Sequence, residues 1–228
     1  MYDWRADWQE RFGRTEPKVI CVGLNYKEHA AEGGMKDLPA TPILFAKFST
    51  ALCDDGAPIL MPEGIGHVDS EAELAVVIGR EAHKVAAADA LAAVHGYTCA
   101  NDVSARDAQF GDRQWFRGKT YDSFCPVGPR LVPVAELGDA GDLRVTQRLN
   151  GETLQDGRTG DLIFPVRELV SFVSHVLTLL PGDLILTGTP AGVGVFRDPK
   201  LSMKPGDVVE VEVEGIGVLR NRVEAAEA

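Results

Sequence analysis

No Cys-x-x-Cys pair occurs in this chain, and its four cysteines, Cys21, Cys53, Cys99 and Cys125, are widely and irregularly spaced. A zinc or disulfide framework is therefore not expected, and buried free thiols in a reducing compartment are. No stretch reaches the ~20 apolar residues of a membrane span. The run from Met1 to Trp8 lacks the apolar core of a signal peptide. Positive charge is short as well, with 23 Lys and Arg against 34 Asp and Glu, a net charge of −11. Nucleic acid and anionic membrane both need clustered positive charge, so neither is an expected partner. Nucleotide fingerprints are missing too. Gly118-Lys119-Thr120 ends like a phosphate-binding loop, but Arg113 stands where its first glycine is required. The run from Gly188 to Gly194 does not contain Gly-x-Gly-x-x-Gly. A soluble, cytoplasmic protein is expected.

With 45% hydrophobic and 25% charged residues over 228 positions, the chain has the composition of an ordinary globular protein with a sizeable core. Its central stretch runs from Glu71 through Ala72, Glu73 and Leu74 to Ile78 and Gly79, an acidic start on an apolar, β-branched run that reads as a strand. Residues i and i+2 of a strand share a face, so Glu71 and Glu73 project together. Two adjacent buried carboxylates repel unless something neutralises them, and a hard divalent cation does so. Asp102, delivered by the strand Tyr97–Ala100, offers a third oxygen. Mg²⁺ or Mn²⁺ suits such an all-oxygen set.

Upstream, a short helix stopped by Gly33-Gly34 places His29 and Glu32 at i and i+3 on one face. A carboxylate beside a histidine orients the ring and raises its basicity, which makes a general base. The glycines after it mark the segment as a lid. Trp4, Trp8 and Phe12, four residues apart, predict a helical flap over residues 1–16, laid on a single domain spanning 17–228.

Elsewhere, Lys84–His95 is alanine-rich with helical spacing, and Gly96 reads as its stop. A second helix is predicted from Val166 to Leu180, opened at Pro165. Asn150-Gly151 predicts a two-residue hairpin turn. Glu210, Glu212 and Glu214 repeat the i, i+2 spacing but have no third ligand nearby, so they read as a solvated strand face. The fold class expected is α+β, mainly antiparallel β, with a few helices.

In order, Asn25-Tyr26 with His29 and Glu32, Asp69 with Glu71-Ala72-Glu73, Asn101-Asp102-Val103-Ser104-Ala105-Arg106-Asp107 with Gln109, Gly118-Lys119 with Cys125-Pro126, and Thr187-Gly188-Thr189-Pro190 resemble the fumarylacetoacetate hydrolase family. The likeness runs from about residue 17 to 223 and fits its short members. It implies a mixed β-roll, usually a homodimer, with Mg²⁺ or Mn²⁺ on Glu71, Glu73 and Asp102. It further implies His29 and Glu32 as a catalytic dyad, Lys119 as a catalytic lysine, and Arg106, Gln109 and Thr189 on the substrate, a small anionic 2-oxo acid. The implied reaction is hydrolysis of a C–C bond in an acylpyruvate- or fumarylpyruvate-type 1,3-diketo acid through a pyruvate enolate. Oxaloacetate decarboxylation, tautomerisation or diene-dioate isomerisation on the same site are the alternatives. Hydrolysis is ranked first because it needs an activated water, the role His29 and Glu32 fit.

Overall fold

The computed structural model describes residues 2–226. Its strands in chain order are β1 (Val19–Gly23), β2 (Ile43–Lys47), β3 (Leu52–Asp54), β4 (Ile59–Met61), β5 (Val68–Asp69), β6 (Ala72–Ile78) and β7 (Val94–Asn101). There follow β8 (Ser104–Ala105), β9 (Cys125–Pro133), β10 (Arg144–Leu149), β11 (Glu152–Arg158), β12 (Leu184–Leu186), β13 (Val208–Val213) and β14 (Gly217–Ala225). Six short helices join them: α1 (Trp4–Phe12), α2 (Lys27–Glu32), α3 (Arg106–Gly111), α4 (Phe116–Lys119), α5 (Val134–Leu137) and α6 (Val166–Val176). A seven-stranded sheet has the order β2-β1-β12-β6-β7-β9-β3, and a five-stranded sheet the order β11-β10-β13-β14-β4. Most neighbours are antiparallel, with parallel pairs at β1–β12, β3–β9 and β4–β14. This is the mixed, mainly antiparallel α+β arrangement that the alternating patterns predict.

β6 lies in the middle of the larger sheet, between β12 and β7. Both of its faces are covered, which explains the unbroken apolar run. Leu74, Val76 and Ile78 point to a core shared with Val211, Val213 and Leu219 of the second sheet and with Leu169, Val170 and Val173 of α6. Ala75 and Val77 point the other way, onto a core closed by Trp4 and Trp8 of α1. Glu71 and Glu73 share the parity of Ala75 and Val77, so they sit at the open end of that second face. The Trp8 indole N–H donates to the Gly182 carbonyl at 2.7 Å and fastens α1 to the body.

One predicted helix is not formed. Lys84–His95 contains only a 3-10 turn at Ala90–Ala93, and Val94 already opens β7. Tertiary partners claim the backbone that a helix would need. Lys84 N–H donates to the Ser174 carbonyl at 2.9 Å, Val85 N–H to the Ser174 hydroxyl at 3.0 Å, and the Ser171 hydroxyl to Val85 O at 2.8 Å. Gly96 is no stop. It lies within β7, where a Cβ would collide with the backbone of Val132 and Pro133. The other long prediction holds in part: α6 ends at Val176, and Leu179 pairs in an extended bridge with Ala82. Asn150 and Gly151, at φ 52 and 85, form the expected turn between β10 and β11.

Candidate active site

Glu71, Glu73 and Asp102 converge, with one ligand oxygen from each lying within 4.8 Å of the others. Their exposures are 5%, 1% and 0%. Sheet pairing produces this convergence. Ala72 lies opposite Asn101 and Glu73 opposite Ala100, while Asp102 N–H donates to Glu71 O at 2.9 Å. The Asn101 side-chain carbonyl accepts from Ser70 Oγ and Glu71 N at 3.1 Å each, fixing the entry into β6.

Three buried cations surround the carboxylates. Lys119 Nζ is 2.7 Å from both Glu71 Oε2 and Asp102 Oδ2. Arg106 reaches Glu71 Oε1 at 2.7 Å and grips Asp69 Oδ2 at 2.8 and 3.1 Å. Its Nη1 also donates to Gln109 Oε1 at 2.8 Å. Lys47, which is not among the site residues expected from the sequence, lies 2.7 Å from Asp102 Oδ1. Its three protons are committed to the carbonyls of Val103, Phe124 and Lys119. Lys47 therefore gives Asp102 Oδ1 charge but no hydrogen bond, and that buried oxygen has no hydrogen-bond donor.

Charge in the cluster does not balance. Asp69, Glu71, Glu73 and Asp102 face Lys47, Arg106 and Lys119, four negative groups against three positive, all buried. Burial would push the Glu71 carboxyl up, yet Lys119 and Arg106 hold it well below the usual range. Burial raises Glu73 well above that range, and the charges of Asp102 and Glu71 raise it further, against a 2.6 Å hydrogen bond from Gly188 N–H. The surplus negative charge thus falls on Glu73. A donor-free oxygen on Asp102, a disfavoured charge on Glu73 and an all-oxygen set fit a hard divalent cation such as Mg²⁺ or Mn²⁺.

A cavity of about 450 Å³ including its mouth is lined by Glu71, Glu73, His29, Gln109, Lys119 and Thr189 and by the aromatic rings of Phe45, Phe110, Trp115 and Phe196, with Phe45 5.1 Å from Lys119 Nζ and Phe196 6.1 Å from the His29 ring. His29 is buried, its Nδ1 3.1 Å from Glu32 Oε2. The other Glu32 oxygen accepts from Gly192 N–H at 3.0 Å, so one carboxylate ties α2 to the loop after β12. Every site residue expected from the sequence therefore comes to one cavity or its immediate wall.

Thr189, where the resemblance implies a carboxylate-binding turn, lines the cavity. Its hydroxyl donates to Ala72 O at 2.9 Å and accepts from Gln155 Nε2 at 2.7 Å. Gln155 Oε1 in turn accepts from Ala72 N–H at 2.9 Å, and Nε2 also donates to Pro190 O at 2.7 Å. This closed ring holds the backbone between Glu71 and Glu73 against the turn at Thr189. Sequence reasoning missed Gln155 and Lys47, and it named Asp69 in the motif without giving it a role. Asp69 links Arg106 to the backbone amides of Gly194 and Val195, both at 2.9 Å. Gln155→Ala strands the Ala72 amide and the Pro190 carbonyl in a dry interior and takes one donor from the Thr189 hydroxyl, which keeps its bond to Ala72 O. We expect a loss of about 2–4 kcal/mol, taking roughly 1–3 kcal/mol per stranded group and partial relaxation. Urea unfolding checks it, and an unchanged midpoint would refute the ring's structural role.

Glu210 and Glu212 of β13 pair with Arg148, and Glu214, just after the strand, pairs with Arg158. They form no acidic cluster with a third ligand among the described residues.

Comparison with known proteins agrees with the geometry. The profile named Fumarylacetoacetate (FAA) hydrolase C-terminal matches residues 18–224. The bovine mitochondrial oxaloacetate tautomerase FAHD2A is 47% identical over 212 residues, covering 92% of this chain and 67% of that protein. This chain thus spans about two thirds of the length of that relative. A crystal structure of 5-carboxymethyl-2-hydroxymuconate delta-isomerase from Mycobacterium smegmatis superposes with a TM-score of 0.83 at 44% identity, covering 94% of this chain and 81% of that one. Fumarylacetoacetate hydrolase from Exiguobacterium antarcticum gives a TM-score of 0.83 at 40% identity, covering 92% of this chain and 75% of that one. The profile runs from the edge of β1 into β14 and takes in the acidic cluster, the dyad and Lys119, so this chain belongs to the fumarylacetoacetate hydrolase family.

Proposed function

We propose that this enzyme moves a proton between carbon and oxygen of a short 2-oxo dicarboxylic acid of the oxaloacetate type, with Mg²⁺ or Mn²⁺ held by Glu71, Glu73 and Asp102. The observation that carries the proposal is His29, oriented by Glu32 and facing the cavity of the acidic cluster. With Nδ1–H donated to Glu32, Nε2 carries the lone pair and takes a proton from C3 of the keto form. The same nitrogen returns it, so that the enol gains an O–H for the C–H that was lost. Lys119 and Arg106 supply positive charge where the oxygens of the substrate gather. When bound, the cation supplies a Lewis acid for the substrate's carboxylate and 2-oxo oxygens. The names of relatives, an oxaloacetate tautomerase and a delta-isomerase, support the same reading.

Hydrolysis of an acylpyruvate- or fumarylpyruvate-type acid is the second reading, favoured by the His29–Glu32 pair, which is also what a water-activating base requires. Ultraviolet assays separate the two. Enzyme with Mg²⁺ or Mn²⁺ is expected to speed relaxation of the enol band of oxaloacetate, and EDTA to abolish the effect. Hydrolysis would instead yield pyruvate and a carboxylic acid from an acylpyruvate. No acceleration in any of these assays would sink both readings.

Two further proposals concern setting. All four cysteines are free, which suits a reducing compartment such as the cytoplasm; the bovine relative carries the word mitochondrial in its name. Among the described residues no helix is long and apolar enough to cross a membrane. The assembly proposed is a two-fold homodimer. Light scattering at micromolar concentration is expected to give twice the chain mass of 24.6 kDa, and the mass of one chain would refute it.

A further inference from the structure

Behind the aromatic side of the catalytic cavity lies a second hollow. It is a groove of about 840 Å³, open to the surface, between Ile43, Leu44 and Ala46 of β2 and Arg113, Gln114 and Phe116. Phe45 and Trp115 line both spaces. They are thus a partition one side chain thick.

Three features fix the Trp115 indole in that partition. Its six-membered ring rests on Gly23, where a Cβ would collide with it. Phe45 meets it edge to face, with centroids 5.5 Å apart. Its backbone leads into α4, and Gly118 of that helix packs so closely on Ala105 O and Gln109 N that a Cβ would lie 2.7 and 2.6 Å from them. α4 also carries Lys119, so the wall and the catalytic lysine are set by one rigid turn.

We infer that Trp115 determines the substrate's chain length by forming the end wall of the cavity. This rests on the proposal that a 2-oxo acid binds at the acidic cluster. With its oxygen-rich end at Glu71, Glu73, Arg106 and Lys119, such an acid extends its remaining carbons along Phe45, whose ring lies 5.1 Å from Lys119 Nζ, and on to Trp115. A short chain ends there. A longer one meets the indole, although the groove beyond has room for several more methylenes along the apolar side chains of Ile43, Leu44 and Phe116.

The test is direct binding, by calorimetry with Mg²⁺ present, of acylpyruvates of increasing linear acyl length from acetyl to octanoyl. The native protein is expected to bind acetylpyruvate and to lose affinity as the chain lengthens past the wall. In Trp115→Ala the trend should reverse, with affinity rising roughly fourfold per added methylene that enters the groove, from about 0.8 kcal/mol per buried methylene. Trp115→Leu, which keeps an apolar plug and protects against failure to fold, should shift the cut-off by fewer carbons. Gly23→Ala leaves the indole in the chain but displaces it, and should also relax the cut-off. Acetylpyruvate binding with the same length profile in the native protein and every folded variant would overturn this inference alone. No binding to the native protein of any acylpyruvate, nor of oxaloacetate titrated in the same way, would overturn the substrate proposal, and this inference with it.

Discussion

Glu73→Gln is expected to abolish divalent-cation binding while leaving the metal-free protein as stable as the native chain, or more so. Glu73 carries the surplus charge of the cluster, since its burial and the nearby charges of Asp102 and Glu71 all disfavour ionisation. A glutamine removes that repulsion and still accepts the hydrogen bond that Gly188 N–H makes to the carboxylate at 2.6 Å. Asp102→Asn removes a cation ligand as well, and from spacing alone the two substitutions look equivalent. The structure separates them. Asp102 answers both Lys47 and Lys119, each 2.7 Å away and buried. Removing its charge strands ammonium groups in the interior, and breaking a buried pair from one side costs about 3–5 kcal/mol. Calorimetric titration with Mg²⁺ and Mn²⁺ should show a loss of more than roughly 100-fold in affinity for both variants, since even residues behind the ligands are worth 10–100-fold. Urea unfolding in EDTA should show a lowered midpoint for Asp102→Asn only. Undiminished cation affinity in Glu73→Gln would sink the assignment of the site, and equal midpoints would sink the account of Lys47 and Lys119.

The acidic triad and the His29–Glu32 pair were legible because each is a short-range pattern read against a known period. Glu71 and Glu73 stand two apart at the entry to β6, His29 and Glu32 three apart in a helix, and Asp102 follows the strand paired with β6. The roles of Lys47 and Gln155, and that of Asp69 within its motif, were not legible, because their meaning lies in partners far along the chain. Lys47 reads as the polar end of a strand until the fold brings Val103, Lys119 and Phe124 around it. Gln155 reads as one polar position of a half-exposed hairpin until β11 meets Ala72 and Thr189. The false helix at Lys84–His95 fails for the same reason. Alanine-rich spacing is a weak local preference, and serines of α6 outbid it for the backbone. Assigning Thr189 to substrate was a family-level implication, and only the ring with Gln155 shows where its hydroxyl proton goes.

His29→Ala is expected to slow keto–enol conversion, or acylpyruvate hydrolysis if that is the reaction, by 10²–10⁴, the usual worth of a general base. Oxaloacetate decarboxylation should change far less, because CO₂ leaves without a base. Lys119→Ala should damage all of these, since it takes charge from beside both Glu71 and Asp102. The discriminating variant is Glu32→Gln. At first sight it only weakens the dyad, removing a charge and leaving the imidazole in place. But Glu32 accepts twice, from His29 Nδ1 at 3.1 Å and from Gly192 N–H at 3.0 Å. A glutamine has one oxygen for these two donors. If the oxygen stays with Gly192, the amide N–H₂ faces Nδ1, the ring proton moves to Nε2, and the base is lost. If the oxygen turns to Nδ1–H, the amide meets Gly192 N–H donor to donor, and the tie between α2 and the loop after β12 is broken. Either way Glu32→Gln should approach His29→Ala, within about tenfold, rather than retain most of the rate. Glu32→Asp keeps an acceptor of the right charge on a shorter arm and should recover part of it. The check is the rate of each variant on enol oxaloacetate, followed in the ultraviolet, beside carbon dioxide release from the keto form. A His29→Ala protein that loses both activities equally would show that the dyad serves a step common to them. A Glu32→Gln protein with near-native tautomerisation would show that His29 does not depend on Glu32 for its tautomer.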